Sequence, residues 1–514
     1  MGAEKYLLAY DWTLLTPELS MIVAVTIMTL VDLFVGKTGR RLSPWIGLAG
    51  VVVAAAFVLS VLGREPYQIL ADTYRLDGFS KVFKLVILGG TFLVLLSSLS
   101  YGKKSHIPDR GEYYSLLLTA ALGGMMMTSS ADLITLYVGL ELLSISSYIL
   151  VGTRKHVLKA KEAAFKYFVL GGVASAFMLY GMSFVYGLTG TTNLYAISAD
   201  LSRAAEDGYE FFVALSFILI VVGLGFKIAA APFHMWAPDV YEGAPTPVTA
   251  FLAVVSKTAA FALLLRLVFV AYSGWMSAAA DFGEGVYVML LVLAALSMIV
   301  GNSVALRQRN VKRMMAYSSV AQAGYVLVPV AVIAFLSGQG EGGYIFLPTS
   351  LNAVSFYLVA YLFATVGAFA VIAAVNRDRD TEDISAFAGL YARAPWTALA
   401  MLTFVLSLAG IPITGGFFGK FYIFFSALSV QSYWIAVIMV AASVVSYFYY
   451  FEIVRQMFFR RAAVQEKFTL PVGLAIVVLI GAIGTLALGV IPQTALDYIG
   501  QLNVFELFFP TPNQ

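Results

Sequence analysis

Residues 221–266 read VVGLGFKIAAAPFHMWAPDVYEGAPTPVTAFLAVVSKTAAFALLLR, and this stretch decides the fold. Lys227 and Lys257 each lie within a run that is apolar enough for a bilayer. Four prolines interrupt the chain between them, namely Pro232, Pro238, Pro245 and Pro247. A cation in hydrocarbon costs roughly 2.5–3.5 kcal/mol on insertion scales, so such residues face a protein interior or a water-filled cavity. Non-helical backbone at membrane depth is likewise tolerated only where protein or water satisfies it. The stretch predicts a membrane protein with a polar interior.

The composition of the whole chain agrees with this prediction. Of its 514 residues 60% are hydrophobic and 12% are charged, whereas soluble domains have about 25% charged residues. The net charge of +3 is spread over short loops, so no basic arm suggests nucleic acid as a partner. The chain has no cysteine, and its three histidines lie far apart: His106, His156 and His234. We therefore expect no thiolate chemistry and no metal site.

A membrane-spanning helix needs about 20 mostly apolar residues. By that test we predict an all-α polytopic membrane protein with about fourteen transmembrane helices. Their predicted ranges are 17–36, 44–63, 79–101, 111–129, 132–152, 162–188, 210–231 (broken, continuing to about 242), 246–272, 285–305, 312–336, 349–375, 395–430 (broken), 432–456 and 470–491.

The basic residues fall mainly on one side of the predicted membrane. One set of loops holds Lys37, Arg40, Arg41, Lys103, Lys104, Arg110, Arg154, Lys155, Lys159, Lys161, Arg307, Arg309, Lys312, Arg313, Arg377, Arg379, Arg393, Arg455, Arg460, Arg461 and Lys467. The opposite side holds both termini and few basic residues: Lys5, Arg64, Arg75 and Arg203, with Lys81 and Lys84 just inside the third helix. Because an excess of Lys and Arg marks the cytoplasmic side, we expect both termini outside.

Two predicted helices are broken, the seventh at Pro232 and the twelfth at Gly410 and Pro412. The seventh runs from outside to inside and the twelfth from inside to outside, yet both carry a lysine on the outer side of the break. Paired interruptions of this kind suggest two inverted repeats. We predict a three-helix segment at 1–110, a first five-helix unit (helices 4–8) at 111–272 and a second (helices 9–13) at 285–460. A last helix and tail follow at 461–514.

Ionisable residues at membrane depth are the candidate functional groups. Glu141 lies midway along the fifth helix, where it either pairs with Lys227 and tunes its proton affinity or forms a structural contact. Lys227, Lys257 and Lys420 are the candidate titrating groups, since burial and a nearby anion shift a lysine between its charged and neutral forms. The alternative for each lysine is a chain that extends to the membrane interface, which fits Lys420 better than the other two.

Two further residues, Lys166 and His234, have two interpretations each. Lys166, a turn or so into the sixth helix, is either a titrating group or an interface residue. His234 follows the first break, and it either relays protons near neutral pH or caps the broken backbone. We expect Arg266 to extend to the interface and Asp132 to be a charge at a helix end.

Four motifs resemble the antiporter-like membrane subunits of respiratory complex I, the NADH–quinone oxidoreductase. They are KIAAAPFHMWAPDVYEGAPTPVTAFLAVVSK (227–257), RMMAYSSVAQAGY (313–325), LSLAGIPITGGFFGKF (406–421) and the segment around Glu141. The resemblance covers nearly the whole chain. DVYEGAPTPVTAFLA is similar to the N-type members, and Lys420 also fits that type, since M-type members typically carry Glu there. No long extension follows the last helix, which disfavours the L type.

The resemblance implies fourteen helices, two inverted five-helix units and a proton path along a central polar axis. It implies proton-translocating roles for Glu141, Lys166, Lys227, Lys257 and Lys420. Many relatives carry His where this chain has Gln322, which cannot titrate, so a relay there must use water or another side chain. The chain itself would bind no cofactor.

The resemblance also implies the setting. Partner subunits of the complex would carry FMN and iron–sulfur clusters, with a quinone as the substrate of the complex. Neighbouring antiporter-like and small membrane subunits would be partners in the bacterial cell (inner) membrane.

Two other functions compete with proton pumping in a quinone-reducing complex. A subunit of a multi-subunit cation/proton antiporter would use a related fold and similar lysines, but the N-type motif after the seventh helix disfavours it. A purely structural membrane subunit would have no need of two broken helices with lysines on several of them.

Overall fold

The computed structural model describes residues 11–36, 39–101, 110–339, 346–461 and 468–508. Its helices are α1 Thr16–Val35, α2 Gly39–Ser60, α3 Gly78–Tyr101, α4 Arg110–Ser129, α5 Leu133–Val151, α6 Leu158–Thr189, α7 Leu194–Ala204, α8 Glu210–Ile228, α9 Trp236–Gly243, α10 Thr246–Ala271, α11 Ser273–Ala278, α12 Ala280–Ala305, α13 Val311–Ser337, α14 Leu347–Arg379, α15 Leu390–Arg393, α16 Pro395–Ala409, α17 Gly415–Ser429, α18 Tyr433–Phe459, α19 Val472–Val490 and α20 Pro492–Gln501.

The all-α polytopic fold is confirmed. Twelve helical segments of the described chain are long and apolar enough to cross a membrane. The other two predicted spans coincide with α4 and with the interrupted pair α16 and α17. The count of fourteen crossings stays a prediction. The predicted boundary at Ser129–Ser130 agrees with the structure, because α4 ends at Ser129 and Asp132 caps α5 by accepting a hydrogen bond from the Thr135 N–H.

Short elements between the long helices escaped the sequence analysis. Strands β1 Tyr67–Ile69 and β2 Tyr74–Leu76 form an antiparallel hairpin in which Tyr67 pairs with Leu76. Helices α7 and α20 have 11 and 10 residues. A test for 20 apolar residues cannot detect such elements. We call the end of the bundle with this hairpin, α7 and α20 the hairpin end, and the opposite end, with Arg154, Arg309 and Arg377, the basic end.

Two backbone bridges repeat the same pattern at opposite ends of the bundle. At the hairpin end the Leu133 N–H donates to Thr192 O, and the Leu194 N–H donates to Ala131 O. At the basic end the Val311 N–H donates to Glu382 O, and the Ile384 N–H donates to Arg309 O. The first bridge joins the start of α5 to the chain that follows α6. The second joins the start of α13 to the chain that follows α14. This match supports the two inverted units, which stay a prediction.

Buried charges tie the N-terminal helices to the first predicted unit. Lys84 on α3 lies 2.6 Å from the Glu18 carboxylate of α1. Arg266 on α10 lies 2.6 Å from Asp77 and donates to Thr128 O at 2.9 Å. The Arg266 side chain is 0% exposed, so the expectation that it extends to the interface is wrong. An arginine can enter a helical core when a carboxylate and a carbonyl satisfy its donors, and sequence spacing did not reveal those partners.

Candidate functional site

The two helix breaks close in the same way. Helix α8 ends at Ala229 (φ 58°) and α16 ends at Gly410 (φ 89°), both in the left-handed conformation that commonly terminates helices. The next residue in each case, Ala230 or Ile411, donates its N–H back across five residues at 2.9 Å. The predicted breaks at Pro232 and at Gly410 and Pro412 are therefore present, with the turn itself set by the left-handed residue.

At each break a different side chain donates hydrogen bonds to carbonyl oxygens near the end of the helix. The Trp236 indole donates to Phe226 O at 2.8 Å, near the end of α8. Lys420 Nζ donates to Leu408 O at 3.0 Å and to Ala409 O at 3.1 Å, at the end of α16. Lys420 is 9% exposed, so it faces the protein interior rather than the membrane interface. Its ammonium lies at the carbonyl end of a helix, which favours a positive charge.

Lys227 is buried at the last turn of α8. Its Nζ donates to Ser144 Oγ at 2.7 Å and to the Tyr148 hydroxyl at 3.4 Å. The predicted pairing with Glu141 stays a prediction: within the described residues the two side chains form no direct ion pair, and Glu141 Oε1 has no hydrogen-bond partner. Ser144 follows Glu141 by three residues on α5, so it occupies the same helix face and takes the contact. The Glu141 carboxylate still lies close enough to act on the Lys227 ammonium through its charge.

Lys257 is the least exposed of the predicted lysines. It follows a π-helical turn, Leu252–Ser256, which the sequence analysis missed; such turns are frequent at functional sites. The side chain is 4% exposed. Its Nζ donates to the Ser319 carbonyl oxygen and, at 2.5 Å, to Ser319 Oγ. The hydroxyls of Tyr361 and Tyr241 lie 3.2 and 3.3 Å from the same Oγ.

Gln322 continues the polar contacts from Ser319 towards Lys420. It lies three residues after Ser319 on α13, and its amide donates to Leu408 O at 3.0 Å. That carbonyl oxygen also accepts from Lys420. The Tyr357 hydroxyl donates to the Gln322 side-chain oxygen. Polar contacts therefore lead from Lys257 to Lys420, with one helical turn between Ser319 and Gln322. Gln322 serves as a bridge in this chain.

Aromatic rings pack against one another beside Lys227. The rings of Tyr148 and Tyr167 meet edge to face at 4.6 Å, and Tyr167 stacks on Trp236 at 4.5 Å. We call Glu141, Lys227, Lys257 and Lys420, together with the serine and tyrosine side chains around them, the polar axis. Its serine and tyrosine members were missed by the sequence analysis. Their signal was the shared helix face of Ser319 and Gln322.

Lys166 and His234 lie apart from the polar axis. Lys166 is 40% exposed and pairs with Glu162 at 2.7 Å and with Asp239 at 2.6 Å. Asp239 also pairs with Arg313 at 2.6 Å, so Lys166 belongs to a charged network at the basic end. His234 is half-buried in the first break, and its Nδ1 has no partner among the described residues.

A polar cavity of about 820 Å³ opens beside this network at the basic end. One of its lining residues, Glu382, pairs with Lys312 at 2.7 Å. Lys312 is fully buried, and its Nζ also donates to Glu242 O at 2.7 Å and Ala244 O at 2.8 Å. The position of Lys312 in the sequence predicts only a charge in a loop. The structure shows that it joins α13 to the end of α9.

A many-helix membrane bundle with two broken helices and lysines along a polar axis defines the antiporter-like class of membrane subunits. Residues 130–446 match the family described as NADH:quinone oxidoreductase/Mrp antiporter, TM. The chain is 51% identical over 504 residues to NADH-quinone oxidoreductase subunit N of Brevibacillus brevis, covering 96% of each chain. It belongs to the family of NADH-quinone oxidoreductase subunit N.

Solved structures agree with this assignment. A chain of respiratory complex I from Thermus thermophilus is 35% identical, with a TM-score of 0.76, over 94% of this chain and 98% of that one. A chain of the Mrp complex from Dietzia sp. is 21% identical, with a TM-score of 0.81, over 98% of both. The second match shows a shared fold alone.

Proposed function

We propose that this chain conducts protons along the polar axis as the N subunit of a proton-pumping NADH–quinone oxidoreductase. The observation that carries the proposal is the setting of Lys257. Its ammonium is buried, and it donates hydrogen bonds to the neutral carbonyl and hydroxyl oxygens of Ser319. A buried lysine whose surroundings change can take up and release a proton. The subunit N relatives and the complex I structure supply the biological setting.

The proposed roles follow from the contacts. Lys227 receives or releases a proton beside Ser144 and Tyr148, while the Glu141 charge acts on it from a distance. Lys257 connects the two units, and the Ser319 hydroxyl passes a proton on only by releasing its own hydrogen to a neighbouring acceptor as it takes one from the Lys257 ammonium. Lys420 holds the proton at the second break. Lys166 acts at the basic end through Asp239, and His234 is a possible relay only if water reaches its free Nδ1.

The redox chemistry belongs to the partner subunits in this proposal. The chain has no cysteine, so its residues do not fit a cysteine-ligated iron–sulfur cluster. The described residues contain no group of three His, Asp or Glu suited to a metal ion. We therefore assign FMN and the clusters to partners, and quinone reduction to the complex, while this chain moves protons.

Contacts with other membrane subunits would also cover the breaks. Pro232 and Met235 in the first break and Pro412 and Ile413 in the second are exposed. Lipid does not satisfy irregular backbone at membrane depth, so neighbouring protein is the natural cover. The excess of basic residues at the basic end supports a cytoplasmic location for that end, with both termini outside a bacterial cell (inner) membrane. We also propose that 111–272 and 285–460 are the two repeated units.

Substitution of the axis lysines tests the function. We expect Lys257→Ala and Lys227→Ala to assemble into the complex but to lose most redox-linked proton translocation, measured by dye quenching in membrane vesicles driven with NADH. Lys257→Arg keeps the charge but cannot release a proton, so it should fail as Lys257→Ala does. Lys161→Ala, at an exposed position near the basic end, serves as the control.

The outcomes separate the proposed function from a structural role. If Lys257→Arg pumps normally, the lysine supplies only charge and the proposed proton transfer is wrong. If every axis variant fails to assemble, the buried charges are structural. Sodium-dependent exchange without NADH would instead identify a cation/proton antiporter subunit.

A further inference from the structure

An apolar groove of about 370 Å³ lies between α3, α14, α19 and α20, away from the polar axis. Its walls are formed by apolar side chains, with the Tyr498 hydroxyl as the exception. Residues that represent the four helices are Gly89, Phe92, Phe363, Ile480, Leu488 and Tyr498. Its volume is within the range of pockets that hold small ligands. A wall of this composition suits a hydrocarbon ligand.

The groove is open along the side of the bundle. On α3 the lining residues Leu85, Gly89 and Phe92 are all partly exposed, and their spacing of four and three residues places them on one helix face. On α14, Val359 and Phe363 are likewise partly exposed and share a face. These helices cross the membrane, so the opening faces the bilayer interior.

The groove spans about one leaflet. Its lining on α3 runs from Val82 to Leu93, which is roughly 16 Å at a helical rise of 1.5 Å per residue. On α19 the lining runs from Ile480 to Leu488, roughly 12 Å by the same measure. Both segments extend from the hairpin end towards the middle of their helices. Half of the hydrocarbon core of a bilayer is about 15 Å.

The length of the groove across the bilayer indicates which kind of apolar ligand it can hold. A transmembrane helix of a partner, or of a second copy, would need a groove along the whole core of about 30 Å. Helix α20 also closes the groove at the hairpin end, where Ala495 and Tyr498 line it. A chain that enters from the side and extends through one leaflet fits both constraints, and lipid surrounds this surface at high concentration.

We propose that this groove binds one acyl chain of a phospholipid from the leaflet at the hairpin end. The chain lies along α3 between Val82 and Leu93 and fills the space between the N-terminal three-helix segment and helices α14 and α19. Tyr498, half-exposed on α20, marks the headgroup level, where tyrosines are enriched. The lipid thereby joins elements that are distant in sequence.

Gly89 makes a sharp test possible. A Cβ built at Gly89 meets no atom within 4 Å, and leucine is a better helix former than glycine. Gly89→Leu therefore adds a side chain to the groove without disturbing the helix. Gly89→Ala is a milder second variant. The matched control is Gly172→Leu on α6, where a Cβ also meets nothing within 4 Å and the position is exposed.

The complete complex is reconstituted into vesicles of phosphatidylethanolamine and phosphatidylglycerol that contain phosphatidylethanolamine with a photoreactive acyl chain. We expect cross-links to α3 residues 82–93 in the wild type and in Gly172→Leu. Gly89→Leu should lower them by roughly tenfold, because the added side chain excludes the acyl chain sterically, and Gly89→Ala should lower them by less.

Three results would overturn the proposal. Undiminished labelling of α3 in both Gly89 variants would show that no chain occupies the groove. Competition by a long-tailed quinone, but not by unlabelled phospholipid, would identify a quinone tail as the ligand. Cross-links from α3 to another polypeptide in place of lipid would show a partner subunit on this surface. Proton translocation can be intact in every case, so the outcome is independent of the proposed function.

Discussion

At the residue scale, the group that accepts the hydrogen bonds of a buried cation decides its role more than its position does. Lys227 and Lys257 contact hydroxyl and carbonyl oxygens, and Lys420 contacts two carbonyls. Lys84, in contrast, faces a carboxylate. An ion pair holds a proton in place, whereas neutral oxygens leave the ammonium open to exchange. This difference separates the polar axis from the buried charges near the N-terminal helices.

The Glu18–Lys84 pair gives a stability prediction. Lys84→Met should destabilise the chain by about 3–5 kcal/mol, because it leaves the buried Glu18 carboxylate without its cation. The Tyr74 hydroxyl, which donates to Glu18 at 3.1 Å, does not replace it. The measurement is the survival of the folded subunit after heating in detergent, followed by size-exclusion chromatography.

The double variant Glu18→Gln/Lys84→Met provides the comparison. It removes both charges, so it should recover much of the loss. Lys81→Met, which removes an ammonium bonded to Leu62 O and Arg64 O, should cost less than Lys84→Met. A double variant as unstable as Lys84→Met would show that the pair is not the cause.

At the scale of elements, the two breaks share one backbone motif with different residues at the left-handed position. Gly410 suits φ 89°, whereas Ala229 is strained at φ 58°. The sequence predicted both breaks from proline and glycine. It could not show that Ala229 ends α8, because alanine carries no signal for a left-handed conformation, and this strain is supported by the fold around it.

Substitutions at Gly410 and Ala229 should change the stability of the protein in opposite directions. Gly410→Ala should cost roughly 1–2 kcal/mol through the left-handed conformation, and its methyl would lie 3.0 Å from Lys420 Cδ, so proton translocation should fall as well. Ala229→Gly relieves strain, partly offset by about 0.4–1 kcal/mol of unfolded-chain entropy. It should be neutral or slightly stabilising.

Both variants are compared by thermal stability and by NADH-driven proton translocation in vesicles. The expected order of stability is Ala229→Gly, wild type, Gly410→Ala, with the first two close together. Equal losses of stability and of proton translocation in both variants would contradict this prediction. They would show that any substitution at the breaks is harmful, whether it adds backbone strain or relieves it.

At the scale of the whole molecule, the sequence predicted most of the architecture and the buried lysines. Long apolar runs and the placement of Lys227 and Lys257 depend only on local composition. The partners of these residues did not follow from it, since Ser319 is 62 residues from Lys257 and Ser144 is 83 from Lys227. The error on Arg266 has the same cause: Asp77 lies 189 residues away.

The orientation can be measured directly, because the chain has no cysteine. Glu206 is exposed at the hairpin end. We predict that Glu206→Cys reacts with a membrane-impermeant maleimide in intact cells in which the reagent can reach the outer face of the cell (inner) membrane. Ser385→Cys, exposed at the basic end, should react only after permeabilisation. The excess of basic residues at that end is the physical reason. The reverse labelling pattern would place both termini inside.

The exposed breaks have a consequence for how a cell must make this polypeptide. A newly inserted copy without neighbours presents Met235 and Ile413, 70% and 67% exposed, beside peptide groups that acyl chains cannot hydrogen-bond. We expect such a solitary copy to open at those points and to offer proteases an unfolded segment. We therefore expect a copy that is expressed without its partner subunits to be short-lived, which a pulse-chase experiment would measure.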